Sequence, residues 1–108
     1  MKVNEAEKAA SDIEIMNIDI KNIKNGTYIG EYKMSSLVSA KVEVTIKDNK
    51  IKDIKLLEHN NGKGKEAEKI PSKVIKKQSL EVDTISGATI SSKVILKSIE
   101  NALSSDRI

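Results

Sequence analysis

The segment from residue 39 to residue 59, SAKVEVTIKDNKIKDIKLLEH, constrains the fold more than any other part of this chain. Ala40, Val42, Val44 and Ile46 alternate with Lys41, Glu43, Thr45 and Lys47. Period two over that length places apolar residues on one face of a strand and leaves the other face to solvent. Asp48 and Asn49 both tolerate positive φ, so they predict a two-residue hairpin turn. The return strand offers Ile51, Ile54 and Leu56. Ile51 and Ile54 are three apart, which strict alternation forbids, so a bulge is expected near Lys52 and Asp53. Upstream, Asn25-Gly26 is a turn signal and Thr27 to Tyr32 has β composition. The expectation is a three-strand antiparallel meander with one apolar face.

That face needs a cover, and the rest of the chain supplies helical patterns. From Lys65, Ala67, Ile70, Val74 and Ile75 recur at helical spacing, with Pro71 interrupting or restarting the helix and an end near Lys77. Ile90, Val94, Ile95, Ile99, Ala102 and Leu103 form one stripe, predicting a C-terminal amphipathic helix of about four turns lying on the meander. The fold class expected is therefore α+β, in one domain, since 108 residues suffice for a single modest core. Residues 1–24 read as an acidic leader or anchor-proximal segment, with a short helix or edge strand in it, and residues 25–108 as the domain.

Charge follows the same division. The first twenty residues carry a net −3, and the remainder a net +6. A moderately basic body suits an anionic ligand or surface, and equally describes Lys-rich solvated faces. No run approaches the ~18 apolar residues of a membrane span, and residues 1–20 lack the apolar core of a signal peptide.

Several chemistries are excluded by what is missing. There is no Cys, which removes disulfides, thiolate metal sites and thiol catalysis. One His, His59, with no carboxylates at ligand spacing does not make a zinc site. HNNGKGK is expected to be a loop holding that histidine, and NGKGKE within and just beyond it lacks the Walker spacing of a phosphate loop. His59, Asp83 and Ser86 can be named as a triad, but no Gly-x-Ser-x-Gly elbow surrounds the serine. With no Phe or Trp, and Tyr28 and Tyr32 the only tyrosines, the stacking platform of a nucleic-acid module is absent. A flat ligand would be held mainly by aliphatic side chains, backbone and polar groups.

One stretch resists these exclusions: DTISGATISS, Asp83 to Ser92. Gly87 permits a tight turn and Ala88 adds little bulk. Thr89 falls at or beside the start of the last helix, where free N–H groups and the positive end of the helix dipole converge. Such a place favours a phosphate, free or esterified, with Ser91 and Ser92 as further donors. Equally, Thr89 is explained as an ordinary helix cap with serines around it.

The heptad D-T-I-S-G-A-T resembles the Asp-x-x-Ser-Gly-Ala-Thr flavinylation motif of FMN-binding domain proteins. That family includes flavin-bearing components of sodium-translocating NADH:quinone reductases and of the Rnf complex, and flavin-bearing lipoproteins of extracellular electron transfer. GTYIGEY, VEVTIKDNKIKDIKLLEH, VIKKQSLEVD and SSKVILKSIENAL extend the likeness over about residues 25–104. The resemblance implies FMN as cofactor, joined through a phosphoester to Thr89 by a separate flavin transferase that uses FAD and magnesium. It implies that Asp83 helps that transferase recognise or activate the acceptor. Ser86, Gly87, Ala88, Ser91, Ser92 and Lys93 would complete the cofactor seat, with His59 and Asn60 near the ring. It implies an extracytoplasmic, membrane-anchored setting with redox proteins as partners, and no nucleic acid. The chain departs from the family in lacking a signal or anchor segment, and in having NNGKGK after His59 where many members have Glu-Thr-Pro-Gly-like residues. No paired carboxylates or nicotinamide fold are evident, so an electron carrier is expected rather than a stand-alone enzyme. The alternatives are a domain that binds FMN reversibly, and a flavin-free interaction module of the same fold.

Overall fold

The computed structural model describes residues 15, 18, 20–34, 38–60, 65–85 and 88–104. Three strands, β1 (Gly26–Lys33), β2 (Ser39–Lys47) and β3 (Lys50–Asn60), form an antiparallel sheet in the order β1-β2-β3. A 3₁₀ turn at Lys65–Lys69 runs directly into helix α1 (Ile70–Lys77), and helix α2 (Thr89–Ser104) closes the fold. The expected α+β meander and both helical segments are present. Pro71 sits in the first turn of α1, where its missing N–H has no intrahelical role.

The core lies between the sheet and the helices, with α2 across β1 and β2 and α1 against β3. Ala40, Val42, Val44 and Ile46 are all 1% exposed or less, so every inward position of β2 is fully buried. Val94, Ile95, Ile99, Ala102 and Leu103 meet them from α2, and Ile90 stays half-buried at the helix start. Asp48 and Asn49 take φ of 54° and 63°, which makes the hairpin turn of the expected mirror-image type.

Two bulges shape β3. Ile46 pairs with Ile51 and Thr45 with Asp53, leaving Lys52 as the extra residue of the expected bulge. Lys41 pairs with Glu58 and Val42 with Leu56, so Leu57 is a second extra residue. Each insertion reverses the alternation, and the inward set becomes Ile51, Ile54, Leu56 and His59. Leu57 is turned outward and is 44% exposed. The second bulge was legible, because Leu56 and His59 are three apart just as Ile51 and Ile54 are.

Two contacts have no obvious sequence signature. On β1 the inward residues are Tyr28, Gly30 and Tyr32, and α2 rests on the gap at Gly30. A Cβ there would lie 2.1 Å from the Ser98 carbonyl oxygen and 2.3 Å from the Ala102 nitrogen. Only hydrogen fits between strand and helix. The second contact ends α1: Gln78 adopts φ 55° as a left-handed C-cap, and its N–H donates to the Val74 carbonyl. Its side chain accepts from the Ile51 N–H at 2.7 Å and donates to the carbonyls of Ile51 at 2.9 Å and Ile75 at 2.7 Å. One amide side chain thus stands in for a neighbouring strand at the bulged edge of β3.

The leader joins the core. Ile18, Ile20 and Ile23 are 7%, 8% and 6% exposed, and residues Ile20–Asn22 form a 3₁₀ turn. The packed unit therefore begins upstream of residue 25. Most of residues 1–19 lies outside the described residues. Among the described residues no helix is long and apolar enough to cross a membrane.

Candidate functional site

The start of α2 is organised by Ser92. Its N–H donates to the Ala88 carbonyl at 2.9 Å, the first rung of the helical ladder. Ala88 is therefore the N-cap residue and Thr89 the first helical residue. The Ser92 hydroxyl, fully buried, donates to the same carbonyl at 2.7 Å and accepts from the Ile85 N–H at 3.0 Å. Ala88 N–H closes a tight turn onto the Ile85 carbonyl at 2.9 Å. One serine hydroxyl thus fastens the segment before the helix onto the helix itself. Both the N–H and the O–H of Ser92 are engaged by the Ala88 carbonyl.

Thr89 is left with different surroundings. It is exposed, and as the first helical residue it is not the cap. The N–H groups of Thr89, Ile90 and Ser91 precede the ladder and have no intrahelical acceptor. They lie at the positive end of a 16-residue helix. Ala88 and Ser91 are buried at 5% and 3% exposure, so the hydroxyl of Thr89 is the accessible one among the described residues of this turn. Lys93, one turn on, is half-buried. Ser86 and Gly87 lie outside the described residues. An exposed secondary alcohol beside N–H groups that have no intrahelical acceptor, with no carboxylate in the first turn, fits a phosphate monoester.

The remaining expected residues occupy other places. Asp83 is exposed and lines a cavity of about 360 Å³ together with Lys73, Lys76, Lys77 and Val82. His59, turned inward by the Leu57 bulge, has a side chain only 3% exposed, with Nδ1 3.1 Å from Glu68 Oε2. That contact ties β3 to the 3₁₀ turn that precedes α1. Asn60 Nδ2 donates to Ser39 Oγ at 3.1 Å, joining the end of β3 to the start of β2. These described bonds serve the sheet and its connections. Tyr28 and Tyr32 pack against the core from either side of Gly30, and the Tyr28 hydroxyl donates to the Lys24 carbonyl at 2.6 Å. Sequence reasoning missed Gln78 and Gly30, the residues that hold α1 and α2 in place. It identified Ser92 without its bonds to Ala88 and Ile85. The signal available for Ser92 was its position four residues beyond the N-cap on the buried side of the helix.

Comparison with known proteins identifies the family. The family model of the FMN-binding domain matches residues 39–104, from the first residue of β2 to the last of α2. An NADH:acrylate oxidoreductase of Vibrio harveyi is 34% identical over 93 residues, a match covering 83% of this chain. The match spans only 9% of that relative, so the likeness concerns one small part of a much longer protein. The chain belongs to the FMN-binding domain family, and FMN is its cofactor.

Proposed function

We propose that this domain carries FMN as an electron-transfer group, attached by a phosphoester to the Thr89 hydroxyl. The observation that supports the attachment point is the accessible Thr89 hydroxyl at the amino end of α2, set among N–H groups that precede the helical ladder. The Ser92 clamp supports it too, because it fixes the turn into the helix without using Thr89. The chain's own contribution is positional. Ser92 holds Ile85 and Ala88, the amides of Thr89 to Ser91 offer donors to phosphate oxygens, and the helix dipole favours their charge. Bound FMN supplies the redox chemistry, and the protein sets its exposure and surroundings.

An alkyl hydroxyl is a weak nucleophile without activation, and a separate transferase using FAD and magnesium is the expected agent. Thr89 Oγ then displaces AMP from FAD and gives up its proton, with no oxidant consumed. Asp83, exposed and upstream of the acceptor, serves that enzyme as a recognition feature. An extracytoplasmic setting and membrane-associated redox partners belong to the same proposal. The relative's name, an NADH:acrylate oxidoreductase, supports a redox role for domains of this type.

The test is to produce the protein with and without a flavin transferase, record its visible spectrum, and weigh the denatured chain. Colour and an FMN mass increment that survive denaturation are expected with the transferase, and both are lost in Thr89→Val. Colour released by denaturation would mean reversible binding, and a colourless chain after incubation with FMN would mean an interaction module. A full mass increment in Thr89→Val would overturn the attachment point.

A further inference from the structure

The two edges of the sheet are built differently. The edge at β3 carries both bulges, with Lys50 and Lys52 at the first, and Gln78 occupies the N–H and the carbonyl of Ile51. Bulges, lysines and covering side chains are the devices that keep an edge from pairing with another chain. The edge at β1 has almost none of them. Its register with β2 is continuous from Gly26 to Lys33, it contains no Pro, and its single lysine is its last residue. The hairpin decides which of its backbone groups face outward. A two-residue turn makes Lys47 and Lys50 a hydrogen-bonded pair, so alternation along β2 turns Ile46, Val44, Val42 and Ala40 toward β1. Their partners Gly26, Tyr28, Gly30 and Tyr32 are thereby engaged. The N–H and carbonyl groups of Thr27, Ile29, Glu31 and Lys33 then point away from the sheet. The Glu31 carbonyl agrees with this direction, since it accepts from Asn101 Nδ2 of α2 at 2.9 Å. A carbonyl oxygen has two lone pairs, so Asn101 leaves that position open to a further donor. All four residues are exposed, Ile29 at 54%.

We propose that β1 pairs antiparallel with β1 of a second copy of this chain about a two-fold axis at Ile29, which joins two three-stranded sheets into one. The choice of occupant rests on the self-complementarity of the strand in that register. Ile29 falls opposite Ile29 of the second copy, so the exposed apolar side chains cover each other on the outer face. Thr27 falls opposite Glu31 and Asn25 opposite Lys33, each twice by symmetry, and no like charges meet. The Ile29–Ile29 and Thr27–Glu31 pairs exchange both their N–H and their carbonyl bonds. On the inner face Tyr28 falls opposite Gly30, which has no side chain to crowd it. Neighbouring registers lose this match. An axis at Gly30 sets Ile29 against Glu31, and an axis at Glu31 sets two carboxylates directly opposite each other. The axis is perpendicular to the sheet, so both α2 helices lie on one face of the joined sheet. The pairing groups belong to residues 25–33, and the proposal does not depend on the flavin-attachment reading.

The experiment is analytical ultracentrifugation of the 108-residue chain from about 1 μM to about 1 mM. A mass twice that of one chain is expected at the upper end, with no larger species. Ile29→Lys sets two ammonium groups side by side at the axis and is expected to weaken association by at least about tenfold. The Ile29 side chain lies outside the core, and unchanged circular dichroism shows that the variant is folded. Leu57→Lys removes the other exposed large aliphatic side chain, on β3, and is expected to leave association unchanged. The chain has no Cys, so Ile29→Cys reports on the register: a short bis-maleimide should join two Ile29→Cys chains and fail to join two Leu57→Cys chains. A monomer at every concentration would overturn the proposal and leave the edge to a strand of different sequence. Association that survives in Ile29→Lys but is lost in Leu57→Lys would overturn it in favour of the outer sheet face. Species that grow beyond two copies would overturn it as well, because a two-fold pairing of edges closes on itself.

Discussion

Gly30→Ala tests how α2, and with it Thr89, is seated. The new Cβ would lie 2.1 Å from the Ser98 oxygen, 2.3 Å from the Ala102 nitrogen and 2.7 Å from the Ala102 Cα. All three are backbone atoms, so no side-chain rotation relieves the clash. Ordinary contact requires a retreat of about 1 Å, and a gap of that size forfeits a quarter to a half of each lost dispersion contact. The retreat loosens Val94, Ile95, Ile99 and Leu103, all of them 1% exposed or less and packed on the sheet. Overpacking of this kind costs about 1–3 kcal/mol and more where backbone must move. The entropy removed from the unfolded chain returns only about 0.4–1 kcal/mol. A net loss of about 2 kcal/mol is a sizeable fraction of the ~5–15 kcal/mol that holds a small domain together. Urea unfolding followed by far-UV circular dichroism suits a chain without Trp. With m near ~1–2 kcal/mol/M, the midpoint should fall by about 1–2 M. A midpoint unchanged within about 0.3 M at equal m would refute the close approach of strand and helix.

Three further outcomes follow from single contacts. Gln78→Ala removes the side chain that meets both the N–H and the carbonyl of Ile51, and should cost about 2 kcal/mol, read as a lower melting temperature. Ser92→Ala leaves the part-buried Ile85 N–H without its acceptor. It should cost about 1–3 kcal/mol and speed hydrogen exchange at Ile85 and Ala88, while slow exchange there would show that the clamp is dispensable. Removal of residues 1–24 deletes Ile18, Ile20 and Ile23 from the core. At about 1.5–3 kcal/mol for each buried aliphatic side chain, the truncated domain should be strongly destabilised, and full retention of the urea midpoint would show that the leader is not part of the packed unit.

The local patterns were decisive wherever the physics is local. Period two in β2, the tolerance of Asp48 and Asn49 for positive φ, Pro71 at a helix start and the stripe on α2 each depend on residues close in sequence. So did the motif around Thr89, whose meaning rests on short spacing and on the family likeness. The rest required the chain to be folded. Whether Gly30 is a gap or a seat depends on Ser98 and Ala102, some seventy residues away. Gln78 becomes the neighbour of Ile51 only once α1 lies beside β3, and Ser92 becomes a clamp only because its side of the helix is buried against Ile85. The lysines of α1 spell nothing alone; the linker folding back with Val82 and Asp83 makes them a cavity. Sequence periodicity determines which face of an element is apolar. Tertiary structure alone decides which polar groups that face meets, because hydrogen bonds and steric fit depend on distances between segments that spacing along the chain does not encode.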